Sequence, residues 1–385
     1  MKITGYRQLT TVHDWGRPVG DVNGVIASGV TDVPIILVET DVGITGVGLG
    51  AHPAIETVFS AIEGEDPRAV TALYDRMLRS VFKSGHAGAV FGTIGALDMA
   101  LWDIKAKAAK EPLWRLLGAR DRVVPGYASG LDAGLDDAQL VSLYERFAGA
   151  GFRAAKLKGG ADAARDIRRF ELVAHVFAGH GVEHPSLMLD VNESWNRAQG
   201  TRYLARLEAQ LDLAWIEEPV RRWDAAGHAA IRRLTRAAVA SGENLTGIEQ
   251  FRPLLTAGAV DIVQTGSVWG ITHFLRVAAL AHAFDLPVSP VAYDANPLAA
   301  AAASVPNCLA IEVQDLGMPV GLDVDQRYEH GAVILGDRPG IGIVVDERAI
   351  TVSERVGAWA VPGGPHARSA HAGLGLAIEG GNDVS

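Results

Sequence analysis

The chain is expected to fold as a parallel α/β barrel closed by its eighth strand, preceded by a small α+β domain, an expectation resting on three observations. Between about Arg122 and Asp315, eight short β-like runs alternate with longer helical patterns. The residues before Arg122 lack this alternation and read as a hairpin followed by helices. No Gly-rich phosphate fingerprint follows the first β-like run, as a doubly wound open sheet would favour. The length, 385 residues, fits two domains at roughly 150 residues each.

The first zone runs from Met1 to about Asp121. Ile35 to Thr40 reads as a strand, Asp41-Val42-Gly43 as a turn and Ile44 to Leu49 as the return strand. Helical patterns follow over Pro67–Val81 and Ala89–Ala109, the second ending before Pro112. Strands followed by helices suggest an α+β unit. In the second zone, residues 122–315, the candidate strands are Val124–Ser129, Arg153–Lys158, Ser186–Asp190, Ala214–Glu217, Ala238–Glu243, Asp261–Gln264, Pro287–Ser289 and Leu309–Val313. Helical patterns such as Asp162–Ala178, Arg197–Leu211 and Ile271–Phe284 fill the gaps. An open parallel sheet also fits bare alternation, but eight repeats fit a closed barrel better. The third zone, residues 316–385, is Gly-rich and is expected to return to the first domain, with a mobile tail from about Pro362.

Bulk properties narrow the function. Apolar residues make up 48%, enough for a large core. A net charge of −10 repels phosphate backbones, so nucleic acid is a poor partner. No apolar leader follows Met1, and no run reaches the ~20 apolar residues of a membrane span. The single cysteine, Cys308, sits in an apolar run and reads as an inert core thiol, which suits a reducing cytoplasm.

Three acids, Asp190, Glu217 and Glu243, end three successive candidate strands, 27 and 26 residues apart. One barrel unit is roughly 31 residues, so the acids recur once per unit at the face where barrels keep their chemistry. Neighbouring strands lie ~4.8 Å apart, which lets the three carboxylates converge on one ion. Any one of these acids alone reads as a solvated loop residue or a helix N-cap. Together, three hard oxygen ligands suit Mg2+. Lys156 and Lys158 end the preceding strand, and their i, i+2 spacing puts both on one face. At ~7 Å and an effective dielectric near 20 they repel by about 2.4 kcal/mol. That repulsion, with a metal nearby, is expected to leave one lysine neutral near about pH 8 and able to act as a base.

The motifs Lys156-Leu157-Lys158, Asp190-Val191-Asn192, Trp215-Ile216-Glu217-Glu218-Pro219 and Ser241-Gly242-Glu243-Asn244 resemble the mandelate racemase subgroup of the enolase superfamily, over nearly the whole chain. The resemblance implies a TIM-like (β/α)7β barrel. It makes Asp190, Glu217 and Glu243 ligands of Mg2+, Lys158 the base and Lys156 its assistant. It places Asn192 beside the substrate and makes Glu312, in Ile311-Glu312-Val313, a carboxyl group that hydrogen-bonds the reacting enediolate. A lysine base beside Mg2+ is the general scheme of that superfamily. The small-molecule partner is then a carboxylate, the first zone becomes a cap whose loops read it, and a homo-oligomer is expected.

One departure is informative. The subgroup usually carries an Asp ending strand six and a His ending strand seven. Here Gly266 and Val291 stand at those places. Tyr293, Asp294 and His273, with His13, His52, Lys83 and His86 of the cap zone, are nearby polar residues, and Tyr293 and His52 are taken as substrate-binding candidates. Without the dyad one face of the substrate lacks a proton carrier, so a one-base dehydration of a sugar acid or similar hydroxy acid is expected. Isomerisation, by cycloisomerase, epimerase or racemase chemistry, and metal binding without turnover are the alternatives.

Overall fold

A computed structural model describes residues 1–292 and 295–350. Its first unit is a three-stranded antiparallel sheet of Ile3–Asp14, Val30–Thr40 and Thr45–Leu49, in that spatial order. The hairpin read from the sequence is present, with Ile35 facing Leu49 and Glu39 facing Thr45. The first strand was not anticipated, because its polar, half-exposed residues show no clean alternation. Helix Ala89–Ala109 lies against the sheet so closely that Gly46 and Gly48 have no room for a Cβ, which would fall 2.1 Å from the Ala100 carbonyl and 1.9 Å from that of Ala96.

The same helix meets the barrel on its other side. The Trp102 indole donates to Thr272 Oγ1 at 2.9 Å, and the Thr272 amide donates to Asp98 Oδ2 at 2.7 Å. Thr272 is the second residue of helix Ile271–His282, whose first amides have no partner within the helix, and its own amide finds one in Asp98.

The barrel has eight parallel strands: Val123–Ser129, Ala154–Lys158, Ser186–Asp190, Trp215–Glu217, Ala238–Ser241, Ile262–Gly266, Val288–Val291 and Ile311–Val313. They are called strands one to eight below. A helix follows each of the first seven. Strand eight closes the barrel on strand one, pairing Glu312 with Tyr127. Backbone bonds between Val288 and the 307–309 segment join strands seven and eight. Tyr127, Met188, Trp215, Ala240 and Ile262 point inward and form an apolar floor. Two residues further along, the same faces present Ser129, Asp190, Glu217, Gly242 and Gln264, since side chains alternate with a period of two.

Strand five stops at Ser241 rather than reaching Glu243. Gly242 has φ 128, a conformation that ends the ladder, and a Cβ there would lie 2.4 Å from the Gln264 carbonyl. Beyond strand eight, the chain forms the hairpin Gln326–Glu329 with Ala332–Leu335, which pairs antiparallel to strand one. Residues 316–350 also reach the first unit: Thr11 Oγ1 donates to the Val320 carbonyl at 2.6 Å and the Ile341 amide to Asp103 Oδ1 at 2.8 Å. The tail expected from Pro362 lies outside the described residues. Cys308 is half-buried, and burial pushes its thiol up to about 12, consistent with an inert group. Among the described residues no helix is long and apolar enough to cross a membrane.

Candidate metal centre and active site

Asp190 and Glu217 are the last residues of strands three and four, and Glu243 follows strand five in the Gly242 turn. Each offers an oxygen within 4.8 Å of the others, and all three are buried. The two lysines of strand two face this cluster. Lys156 is wholly buried and its Nζ binds Glu217 Oε1, lies 2.9 Å from Glu312 Oε1 and 3.5 Å from Asp190 Oδ2. The Lys158 Nζ donates to Asp190 Oδ2 at 2.5 Å.

Four carboxylates, Asp190, Glu217, Glu243 and Glu312, stand against two ammonium groups. Carboxylates outnumber ammonium groups here, an excess of formal negative charge that a bound cation would offset. The strain of excess negative charge is visible. Burial first, then the Asp190 charge, pushes Glu217 above the usual carboxylate range, and burial also raises Glu243. For Asp190 burial acts in the same direction, but Lys158 and Lys156 outweigh it and hold the group down. Close, buried, oxygen-only donors of this kind suit a hard divalent cation.

The expected depression of the lysines is not found. Burial pulls both down, but the facing carboxylates, Glu217 and Glu312 on Lys156 and Asp190 on Lys158, outweigh it and raise both above their ordinary value. The sequence argument counted only the repulsion between the two ammonium groups. The fold adds acids from strands three, four and eight at hydrogen-bonding range, and attraction wins without a cation. A cation bound by those acids would oppose that attraction.

Other candidates fall in different places. Glu312 Oε2 accepts from the Ala292 amide and from Gln314 Nε2, both at 3.1 Å. Asn192 sits in the loop above Asp190 with φ 45, and its carbonyl accepts from Asn23 Nδ2 at 3.0 Å. Asn23 belongs to the turn of the Val19–Asp21/Gly24–Ile26 hairpin, so a cap loop does reach the barrel mouth. His52 is buried and its Nδ1 lies 2.8 Å from the Gly50 carbonyl; burial lowers its pKa. Its loop packs near Val268, just past strand six. Tyr293 and Asp294 lie outside the described residues. His273 is caged by Phe91 and Phe251, and burial drops it to about 3, a core histidine. His13 pairs with Asp315 at 3.1 Å and stacks on Trp15, and His86 lies 2.5 Å from Glu249.

The missing dyad has a steric cause at strand six. A Cβ on Gly266 would lie 2.9 Å from the Glu243 carbonyl and 2.9 Å from the Trp269 indole nitrogen. That indole donates to the same carbonyl at 2.6 Å, so the space is filled. Val291 ends strand seven as an apolar, buried residue.

Two side chains at the centre were not singled out in the sequence. Gln264, two residues before Gly266 on the same face, donates from Nε2 to Glu217 Oε2 at 2.7 Å. Glu218 is buried with φ 46, accepts from Asn244 Nδ2 at 3.1 Å, and is raised well above its ordinary value by burial and by Glu243. The period-two pattern of strand six carried the signal for Gln264.

Comparison with known proteins identifies the family and the fold. Residues 139–349 match the enolase C-terminal domain-like family, and residues 24–118 match the mandelate racemase/muconate lactonizing enzyme N-terminal domain. A 3,6-anhydro-alpha-L-galactonate cycloisomerase from Streptomyces coelicolor is 34% identical over 302 residues, covering 77% of this chain and 80% of that one. An L-talarate/galactarate dehydratase from Salmonella typhimurium is 34% identical over 277 residues, 68% of each chain. The crystal structure of a racemase from Streptomyces coelicolor A3(2) with bound magnesium superimposes with a TM-score of 0.81 at 29% identity, covering 90% of this chain and 98% of the other.

Proposed function

Because the chain belongs to the mandelate racemase/muconate lactonizing enzyme family of the enolase superfamily, we propose that it is a Mg2+-dependent dehydratase of a sugar acid or related hydroxy acid. Asp190, Glu217 and Glu243 are the residues that would hold the ion. Bound there, Mg2+ supplies Lewis acidity to the substrate carboxylate and stabilises the charge that builds as the α-proton leaves.

The chain's own groups do the rest. Lys158, at the end of strand two, takes the α-proton on its Nζ. Lys156, buried among carboxylates, remains an ammonium and stabilises the developing charge on the substrate. Glu312 faces Lys156 from strand eight and borders the same charge. Lys158, now protonated, returns its proton to the departing β-hydroxyl. The α C–H and β C–O bonds break, water leaves, and the enol product rearranges to a 2-keto-3-deoxy acid. Asn192, His52 and Tyr293 are assigned to substrate contact.

The observation that supports elimination over racemisation is the filled space at Gly266, which leaves no side chain on strand six to carry a proton on the second face. A second reading, cycloisomerisation, is favoured by the 34% identity to a cycloisomerase. Either outcome begins with loss of the proton next to the carboxylate. A panel of aldonates, aldarates and anhydro sugar acids, scored for 2-keto acid, tests the proposal. Keto acid formed with loss of water supports it, isomeric product without water loss supports the second reading, and no turnover on any acid sugar contradicts both. Cys308 as sole cysteine fits a reducing cytoplasm. Assembly into a homo-oligomer is tested by light scattering, and a monomer at micromolar concentration contradicts it.

A further inference from the structure

Strand one pairs with strand two only as far as Ser129 and Lys156. The last two residues of strand two, Leu157 and Lys158, therefore have no ladder partner on that side. On the other side Lys158 still pairs with Asp190. A free strand end would leave the Lys158 backbone, and with it the aim of its side chain, loosely set.

Three buried side chains outside the acidic cluster close that gap. Asp132, three residues past strand one, accepts the Lys158 amide on Oδ1 at 2.9 Å, in the place of the missing ladder partner. Arg169, from helix Ala163–Gly179, donates to the Lys158 carbonyl at 2.6 Å and to the Asp132 carbonyl at 2.8 Å, and its Nη2 lies 2.9 Å from Asp132 Oδ1. The Tyr144 hydroxyl, from helix Asp137–Gly149, is 2.8 Å from Asp132 Oδ2 and 3.0 Å from the Lys156 carbonyl. Asp132 and Tyr144 are wholly buried and Arg169 is 3% exposed. Burying an ion pair is costly unless it is fully bonded, so an isolated stabilising role is a poor reason for one here.

The segment carrying Asp132 is also where the cap hairpin docks. The Gly20 amide donates to the Leu131 carbonyl at 2.8 Å, and Gly20 and Asp132 form a parallel bridge.

We propose that Asp132, Arg169 and Tyr144 are positioning residues that aim Lys158 and join its aim to the seating of the cap hairpin. The inference rests on the reading of Lys158 as the base. Reacting atoms misplaced by about 1 Å lose on the order of 10²-fold in rate. Asp132→Asn keeps the shape of the side chain but removes its charge against Arg169, Tyr144→Phe removes one hydroxyl, and Arg169→Lys keeps the charge but cannot bridge the same acceptors.

The experiment measures kcat, KM, Mg2+ half-saturation and the kinetic isotope effect of α-deuterated substrate for these variants beside Lys158→Met. Asp132→Asn should lower kcat by about 10- to 100-fold. KM and Mg2+ half-saturation should stay near wild type, and the isotope effect should rise because proton transfer becomes slower relative to other steps. Tyr144→Phe should show the same signature more weakly, and Arg169→Lys should fall between wild type and Arg169→Met. Wild-type kcat and isotope effect in Asp132→Asn and Tyr144→Phe, beside an inactive Lys158→Met, overturn the inference and leave the base assignment standing. Rate loss that merely tracks loss of folded protein or of Mg2+ binding also overturns it. Turnover in Lys158→Met overturns the base assignment itself. Gly20→Ala, whose Cβ would fall 2.2 Å from the Gly24 carbonyl, disturbs the hairpin. It should raise the isotope effect, and a change confined to KM removes the link to the cap.

Discussion

Asp98 makes the seam between cap and barrel pH-dependent. It lies wholly buried on helix Ala89–Ala109 and accepts the amide of Thr272 at 2.7 Å and its hydroxyl at 2.5 Å. Burial raises its pKa from 3.8 to about 7 despite those bonds. The native state therefore keeps a proton that the unfolded chain releases near the ordinary value. Between these two pH values unfolding releases a proton, so this group's contribution to stability falls as pH rises through the window and is level above it. That rise, from 3.8 to about 7, corresponds to at most about 4 kcal/mol. Asp98→Asn cannot lose a proton, and its amide can still bond Thr272. Urea unfolding of both proteins across this range should show the variant gaining on wild type by a few kcal/mol as pH rises, then a plateau. All other titrating groups are shared, so the difference isolates Asp98. A stability difference that does not change with pH would refute the reasoning.

Other consequences follow from the same geometry. Glu217→Gln alters one of the three proposed ligands and removes the charge facing Lys156, and should weaken Mg2+ binding by at least about 10²-fold in calorimetry, beyond the ~10–100-fold typical of losing a supporting group. Unchanged affinity would place the ion elsewhere. In wild type, Mg2+ at 100 times its Kd should stabilise the native state by about 2.7 kcal/mol, read as a rise in Tm that a chelator reverses. Gly266→Asp should not restore a second base. Its Cβ would fall within 2.9 Å of backbone and indole atoms, and overpacking costs about 1–3 kcal/mol, seen as a lower Tm without new racemase activity.

The barrel was legible because its strands repeat a local signal. Each of the first seven is a short apolar run followed by a helical stretch, and Asp190, Glu217 and Glu243 recur at that period. Which face they share follows from alternation alone, and the same logic pairs Lys156 with Lys158. Strand Ile3–Asp14 escaped because its side chains are mostly polar and half-exposed, its pairing being set by the neighbouring strand rather than by its own pattern. The charge state of the lysines was misjudged for a related reason. Glu312 lies 156 residues from Lys156 in sequence, and only barrel closure brings it to 2.9 Å. Asp132, Arg169 and Tyr144 gave no local signal either, since what they bond is the backbone of a strand that another strand fails to cover.

The central claim is that Lys158 removes the α-proton. Its most direct test is Lys158→Met, assayed for exchange of the α-proton with solvent deuterium and for Mg2+ affinity. Loss of a general base alone costs about 10²–10⁴ in rate. Because one lysine is assigned both proton transfers, exchange should fall to or beyond the upper end of that range while Mg2+ binding stays near wild type. A Lys158→Met enzyme that exchanges its substrate's α-proton at the wild-type rate would contradict the account.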